Sequence, residues 1–175
     1  IISLSDMIRP ETFNIIQNLQ KLKTDSVLLT GDNENTAEYF ASKVGIKNVL
    51  SNLLPEQKVE QIVKMQSSGK TICMIGDGIN DAPALKTADV GIAMGVMGSD
   101  IAVEAADIAL MTDDITKIPY LKRLSNATVK TIQSGIFLSM FINIVGVILS
   151  IFGWLNPTTG ALVHNADFRF AYISI

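Results

Sequence analysis

The sequence predicts an α/β domain with a mostly parallel, doubly wound sheet, followed by a transmembrane α-helix. Three observations lead there. Short apolar runs alternate with amphipathic stretches over the first 110 or so residues, the pattern of strands joined by helices. Two of the runs end in Gly-Asp, at Gly31-Asp32 and Gly76-Asp77. From Ile136 to Leu155 no charged residue occurs; about 20 apolar residues in helix span the roughly 30 Å of a bilayer core.

The elements follow in order. Ile1 to Leu4 is a short apolar run and an expected strand, and no signal-like segment precedes it. Pro10 suits the first turn of a helix whose apolar face would hold Phe13, Ile15, Ile16, Leu19 and Leu22. Ser26 to Leu29 is a buried strand that ends in Thr30-Gly31-Asp32. Asn33 or Asn35 can cap the next helix, with Ala37, Phe40, Ala41 and Val44 inward and Gly45 at its C-terminus. Val49-Leu50 is a weak strand. Pro55 opens a helix carrying Val59, Ile62, Val63 and Gln66, and Thr71 to Ile75 is a strand running into Gly76-Asp77-Gly78. Val90 to Met94 and Ile108 to Met111 are two further strands. The predicted organisation is a soluble domain over residues 1–114, a stalk helix over 115–135, a transmembrane helix over 136–155 and an incomplete last membrane segment over 159–175. Lys117, Lys122, Arg123 and Lys130 precede the apolar run and Trp154 ends it, which places residues 1–130 in the cytoplasm.

Composition removes several function classes. A net charge of −3 argues against a nucleic-acid binder, which normally shows a basic face. A single cysteine excludes a disulfide framework and a multi-cysteine zinc site. A hydrophobic fraction of 48% excludes a disordered chain. There is no Gly-x-x-x-x-Gly-Lys-Ser/Thr loop and no EF-hand spacing.

In doubly wound sheets ligands bind beyond the carboxyl ends of the strands, where both Gly-Asp motifs lie. Thr30, Asp32, Asp77, Asn80 and Asp81 supply hydroxyl and carboxyl oxygens there, and Lys58, one turn into its helix, supplies a cation. Hard oxygen ligands suit Mg²⁺ together with phosphate oxygens. A hydroxyl, backbone N–H groups beside a glycine, and a lysine can hold a phosphoryl group, so the set is equipped for phosphoryl transfer. Alone, Thr-Gly-Asp is as readily a turn, and Lys58 a solvated helix residue. The run Met74-Ile75-Gly76-Asp77-Gly78-Ile79-Asn80-Asp81-Ala82-Pro83-Ala84-Leu85 is far more specific, because two aspartates and an asparagine between a strand and a helix are costly to desolvate without a charged partner.

That run resembles the hinge signature of P-type ATPases, within the haloacid-dehalogenase-like superfamily. Asp6-Met7-Ile8-Arg9-Pro10-Glu11 resembles the segment where the chain re-enters the phosphorylation domain. Thr30-Gly31-Asp32-Asn33 resembles the second superfamily motif, and Leu54-Pro55-Glu56-Gln57-Lys58 the motif that supplies the phosphate-site lysine. Ala88 to Gly95, on to Ala106-Asp107, resembles the block that follows in heavy-metal transporting members. The resemblance covers residues 1–166. It implies a partial Rossmann-like phosphorylation domain in which Thr30, with Gly31 and Asp32, holds the phosphoryl group. Lys58 neutralises that group, Asp77 binds Mg²⁺, and Asn80 and Asp81 support that shell. It further implies a pump in a membrane, expected to be the plasma membrane, that uses ATP to export a divalent metal, with zinc, cadmium or cobalt favoured over copper.

The family nucleophile, in Asp-Lys-Thr-Gly-Thr, does not occur in this sequence. By the resemblance it lies upstream, before the nucleotide-binding domain, so the chain is expected to be a C-terminal part that is inactive alone: half of a split pump completed by a second chain, or a truncated remnant. A stand-alone phosphatase of the same superfamily is the rival reading. Asn143 lies mid-way along the apolar run, where helix–helix hydrogen bonding and ion contact are both open. His164, in Gly160 to Ala166, falls near where zinc, cadmium or cobalt pumps place a metal ligand; a helix-end histidine near headgroups is the alternative. After Ala166 the resemblance stops, with Asp167 and Arg169 in a would-be spanning segment, and a single-base frameshift is the expected cause.

Overall fold

A computed structural model of the chain describes residues 8–76, 79–94, 100–112 and 114–153. The expected strand at Ile1 to Leu4, the aromatic end at Trp154 and the segment 159–175 lie outside the described residues.

The described chain runs α1 (Thr12–Lys21), β1 (Val27–Leu29), α2 (Glu34–Val44), β2 (Asn48–Leu50), α3 (Pro55–Ser67) and β3 (Cys73–Gly76). A single 3₁₀ turn (Ile79–Asp81) then leads into α4 (Ala82–Thr87), β4 (Val90–Met94), α5 (Asp100–Ala105), β5 (Ile108–Leu110) and α6 (Lys117–Ile151). It forms two compact units, divided after Pro119.

Helix boundaries follow local chemistry. Asn33, one of the two expected caps, accepts from Thr36 N at 3.0 Å and so satisfies a donor that the first turn of α2 leaves over. Gly45 closes that helix at φ +80°, a conformation glycine adopts without penalty. Pro55 stands at the first position of α3, where its missing N–H costs nothing. Gln57 Oε1 reaches back to accept from Leu54 N at 2.8 Å, which locks the entry of the helix. The inward faces are narrower than the periodicity suggests. Ile15, Ile16 and Leu19 of α1 are buried, but Phe13 is 47% exposed. In α3 Ile62 is fully buried while Val63 is 46% exposed.

Among the described residues the strand pairs are parallel, joined through helices as parallel pairs require, and they group as β1-β2 and β3-β4-β5. Side-chain alternation marks a strand without specifying its neighbour, so pairing is visible only in the backbone hydrogen bonds. The larger sheet has its register pinned by two aspartates placed just before strands. Asp89 Oδ2 accepts from Ile72 N at 2.7 Å, and Asp107 Oδ2 accepts from Gly91 N at 2.8 Å. Ile62, Met74, Ala84, Leu85 and Ala93 form the core, with Leu29 of β1 packed against it, so both sheets rest on one apolar centre.

Helix α6 has 35 residues and at 1.5 Å per residue is about 52 Å long, more than a bilayer core needs. It is the one helix among the described residues long and apolar enough to cross a membrane. Its first turn belongs to the first unit, where Ile118 and Pro119 are buried. Pro119 falls where a helix tolerates proline. Thr128 and Thr131 return their hydroxyls to the carbonyls of Leu124 and Ala127, at 3.0 and 3.1 Å.

Candidate functional site

Three loops carry the candidate residues. The first follows β1. Thr30 N donates to Leu50 O at 3.0 Å, extending the β1–β2 ladder by one residue. The chain then turns sharply. Thr30 Oγ1 donates to Asp32 Oδ2 at 2.9 Å and accepts from Asp32 N at 3.1 Å, so the hydroxyl and its neighbour are tied in a small ring. Thr30 is half-buried; Gly31 and Asp32 are exposed.

The second loop leads into α3 and braces the first. Asn52 N donates to Asp32 O at 2.8 Å and Leu53 N to Thr30 O at 3.0 Å. Asn52 takes a left-handed φ of 54°, one of the conformations asparagine tolerates better than most residues. Five residues after Leu53 comes Lys58, whose ammonium reaches Asp81 Oδ1 at 2.8 Å. Both side chains are largely shielded, at 15% and 16% exposure.

The third loop follows β3 and carries Asn80 and Asp81. Asn80 is exposed and Asp81 half-buried. Asp81 is seated against the backbone of Gly76: a Cβ added at position 76 would stand 2.7 Å from Asp81 Cβ and 2.9 Å from its Oδ2. Only a glycine lets the aspartate sit there and present a carboxylate oxygen to Lys58. Asp77 and Gly78, between these two, lie outside the described residues, as does His164.

The structure therefore links Thr30 to Asp32 and Lys58 to Asp81, and it ties the Thr30 loop to the loop that starts the lysine's helix. Sequence reasoning had each residue but not these pairings. It also missed Asn52, Leu53 and Gln57, which hold loops through backbone or capping bonds and carry no signal of chemistry. The role of Gly76 as the seat of a residue five positions on is a packing fact. Among the described residues no three His, Cys, Asp or Glu side chains gather as a metal cage.

Two ionisable groups outside the site are shifted. Asp89 is held below the usual carboxylate range chiefly by the Ile72 backbone N–H, helped by Gln66. Asp114, ahead of α6, is lowered chiefly by the Thr116 hydroxyl and backbone N–H, with Lys117 adding to them.

A family profile described as haloacid dehalogenase-like hydrolase matches residues 1–89. The cadmium-transporting ATPase of Staphylococcus aureus is 45% identical over 157 residues, covering 89% of this chain and 22% of the relative. A probable copper-transporting ATPase of Synechococcus elongatus is 40% identical across 100% of this chain and 24% of its own length. A crystal structure of a zinc-transporting PIB-type ATPase in the E2.Pi state superposes with a TM-score of 0.90 at 31% identity, covering 97% of this chain and 28% of that one. The chain thus spans about a quarter of the length of the proteins it matches.

Proposed function

Since the chain belongs to the haloacid dehalogenase-like hydrolases, we propose that it forms the phosphoryl-handling and membrane-anchoring part of a heavy-metal P-type ATPase. The observation that carries this reading is the placement of Thr30, Lys58 and Asp81. They stand beyond the carboxyl ends of parallel strands, in a chain that continues into a helix able to cross a membrane. The relatives, named for cadmium and copper transport, support it.

In this reading Thr30 donates its hydroxyl to a phosphoryl oxygen, and the turn at Gly31 and Asp32 shapes that contact. Lys58 lies against the charge that develops on the transferred oxygens, where a preorganised cation is worth most. Asp77 would hold Mg²⁺, with Asn80 and Asp81 around it. The donor set fits, being all hard oxygens, with Asp81 already fixed against Gly76. The ion, when bound, supplies charge neutralisation between phosphoryl oxygens and carboxylate. ATP and the phosphorylated aspartate belong to parts of the pump outside this sequence, which a longer chain or a second chain must supply. The transported ion is a divalent metal, with zinc, cadmium or cobalt favoured over copper, and His164 a candidate contact for it. Residues 1–130 face the cytoplasm, and the membrane is the plasma membrane. A stand-alone phosphatase is disfavoured by the helix long and apolar enough to cross a membrane.

The test is phosphoenzyme formation against Mg²⁺ concentration in a complete pump carrying substitutions at these positions. Asp77→Asn keeps shape and removes charge, and should cost about 3 kcal/mol or more in the phosphorylation barrier, the scale of a lost electrostatic contact. Asp32→Asn should cost less, because Asp32 orders the Thr30 turn. If Asp77→Asn leaves the Mg²⁺ dependence unchanged while Asp32→Asn shifts it, the metal ligand is misassigned.

A further inference from the structure

Both groups assigned to the phosphoryl oxygens already hold a carboxylate. Thr30 has a single hydroxyl proton, and it goes to Asp32 Oδ2 at 2.9 Å. The Lys58 ammonium goes to Asp81 Oδ1 at 2.8 Å. An ionised carboxylate oxygen resembles a phosphoryl oxygen as an acceptor, since both make short charge-assisted bonds. Asp32 is tied back through its own N–H to Thr30 Oγ1 at 3.1 Å and through its carbonyl to Asn52 N at 2.8 Å. Asp81 sits so close to Gly76 that no larger residue fits beneath it.

We propose that Asp32 and Asp81 are internal stand-ins for phosphoryl oxygens, holding the Thr30 hydroxyl and the Lys58 ammonium in place until a phosphoryl group displaces them. The proposal rests on the reading that Thr30 and Lys58 bind that group. Phosphoryl binding is then an exchange of acceptors at the single Thr30 proton and a competition with Asp81 for the charge of Lys58, whose ammonium has two further N–H donors, so the affinity measured is a difference between bonds of similar kind. The two aspartates are positioning residues. They hold the donors aimed, lower the affinity for any anion, and leave a weak monoanion unable to compete. No covalent step is involved.

The probe is inorganic phosphate, titrated into the full chain in detergent micelles with a chelator present, so that no divalent cation contributes, and followed by phosphorus NMR. Asp32→Ala should tighten phosphate binding by about three- to tenfold, the scale of one hydrogen bond no longer contested. The gain should vanish in the Thr30→Val, Asp32→Ala double variant. Asp81→Asn should tighten binding in the same way only while Lys58 is present. Asp32 is exposed, so Asp32→Ala decides the matter by itself should circular dichroism show Asp81→Asn unfolded.

Wild-type binding with Asp32→Ala unchanged or weaker overturns the proposal and leaves the phosphoryl reading standing. A gain that survives removal of the Thr30 hydroxyl is charge repulsion alone, and also overturns it. Absence of phosphate binding in the wild type and every variant, also with Mg²⁺ in place of the chelator, removes the underlying reading together with the proposal.

Discussion

A methyl group at position 76 would stand 2.7 Å from Asp81 Cβ, so Gly76→Ala has to push the aspartate away from Lys58. Overpacking of this kind costs about 1–3 kcal/mol. Chemical unfolding of the full chain should show that loss, which should persist in Asp81→Asn, because asparagine keeps the Cβ, and shrink in Asp81→Gly, which removes it. An undiminished loss in the Asp81→Gly background would mean that Gly76 acts elsewhere. A second residue-scale effect concerns acid. Asp89 has its pKa lowered in the folded chain, first by the Ile72 N–H and then by Gln66. The unfolded chain therefore binds the proton more readily. The contribution is fully present above the ordinary carboxylate pKa and is lost as pH falls through the lower folded value. Asp89→Asn should flatten the acid limb of a stability–pH curve below the usual carboxylate range and leave the neutral region's slope unchanged. An unaltered acid limb would show that the Ile72 contact does not stabilise the fold.

At the scale of elements, α6 combines two environments in one continuous helix. Ile118 and Pro119 are buried, whereas the apolar side chains from Ile136 onward are mostly exposed, including Phe137 at 74% and Ile151 at 77%. So much apolar surface has no place in water and is satisfied by lipid or by other membrane helices. Single cysteines at 122 and 130 should label from the cytoplasmic side, and cysteines at 140 to 148 should resist aqueous reagent. Labelling of position 122 from the outside would reverse the topology inferred from the basic residues. The short strands behave differently. β1, β2 and β5 have three residues each, too few to be stable alone. They persist because each is paired, and because Leu29 and Leu110 reach buried or half-buried positions. The boundaries of β3 and β5, which the sequence puts at Thr71 to Ile75 and Ile108 to Met111, shift by one or two residues because pairing register rather than side-chain type ends a strand.

At the scale of the whole chain, the 175 residues contain no Asp-Lys-Thr-Gly-Thr segment. Covalent phosphoryl transfer of this family's kind needs an aspartate that this sequence does not contain in its motif. The purified 175-residue chain should therefore not hydrolyse ATP or p-nitrophenyl phosphate. Mg²⁺-dependent turnover abolished by Asp77→Asn would contradict that and would favour a phosphatase. Adding a polypeptide that carries the Asp-Lys-Thr-Gly-Thr segment is the matching gain-of-function arm.

Several features are local properties of the residues and were determined by the sequence itself. A cap at Asn33 or Asn35, Gly45 as a helix end, Pro55 as a helix start and the long charge-free run all depend on neighbours within a few positions. Thr30, Lys58 and Asp81 were also recognisable as residue types suited to phosphoryl chemistry. Tertiary structure alone decided which of them touch. Lys58 and Asp81 are 23 residues apart, and nothing in either local segment indicates the other. Their pairing needs α3 to pack on the β3–α4 turn and needs the missing Cβ of Gly76. The pairing of the strands is likewise a matter of backbone partners, which side-chain periodicity does not encode. The inward faces of α1 and α3 proved narrower than their apolar stripes because burial depends on what packs opposite. A pattern of apolar residues says that a face can be buried; only the neighbouring element determines how much of it is.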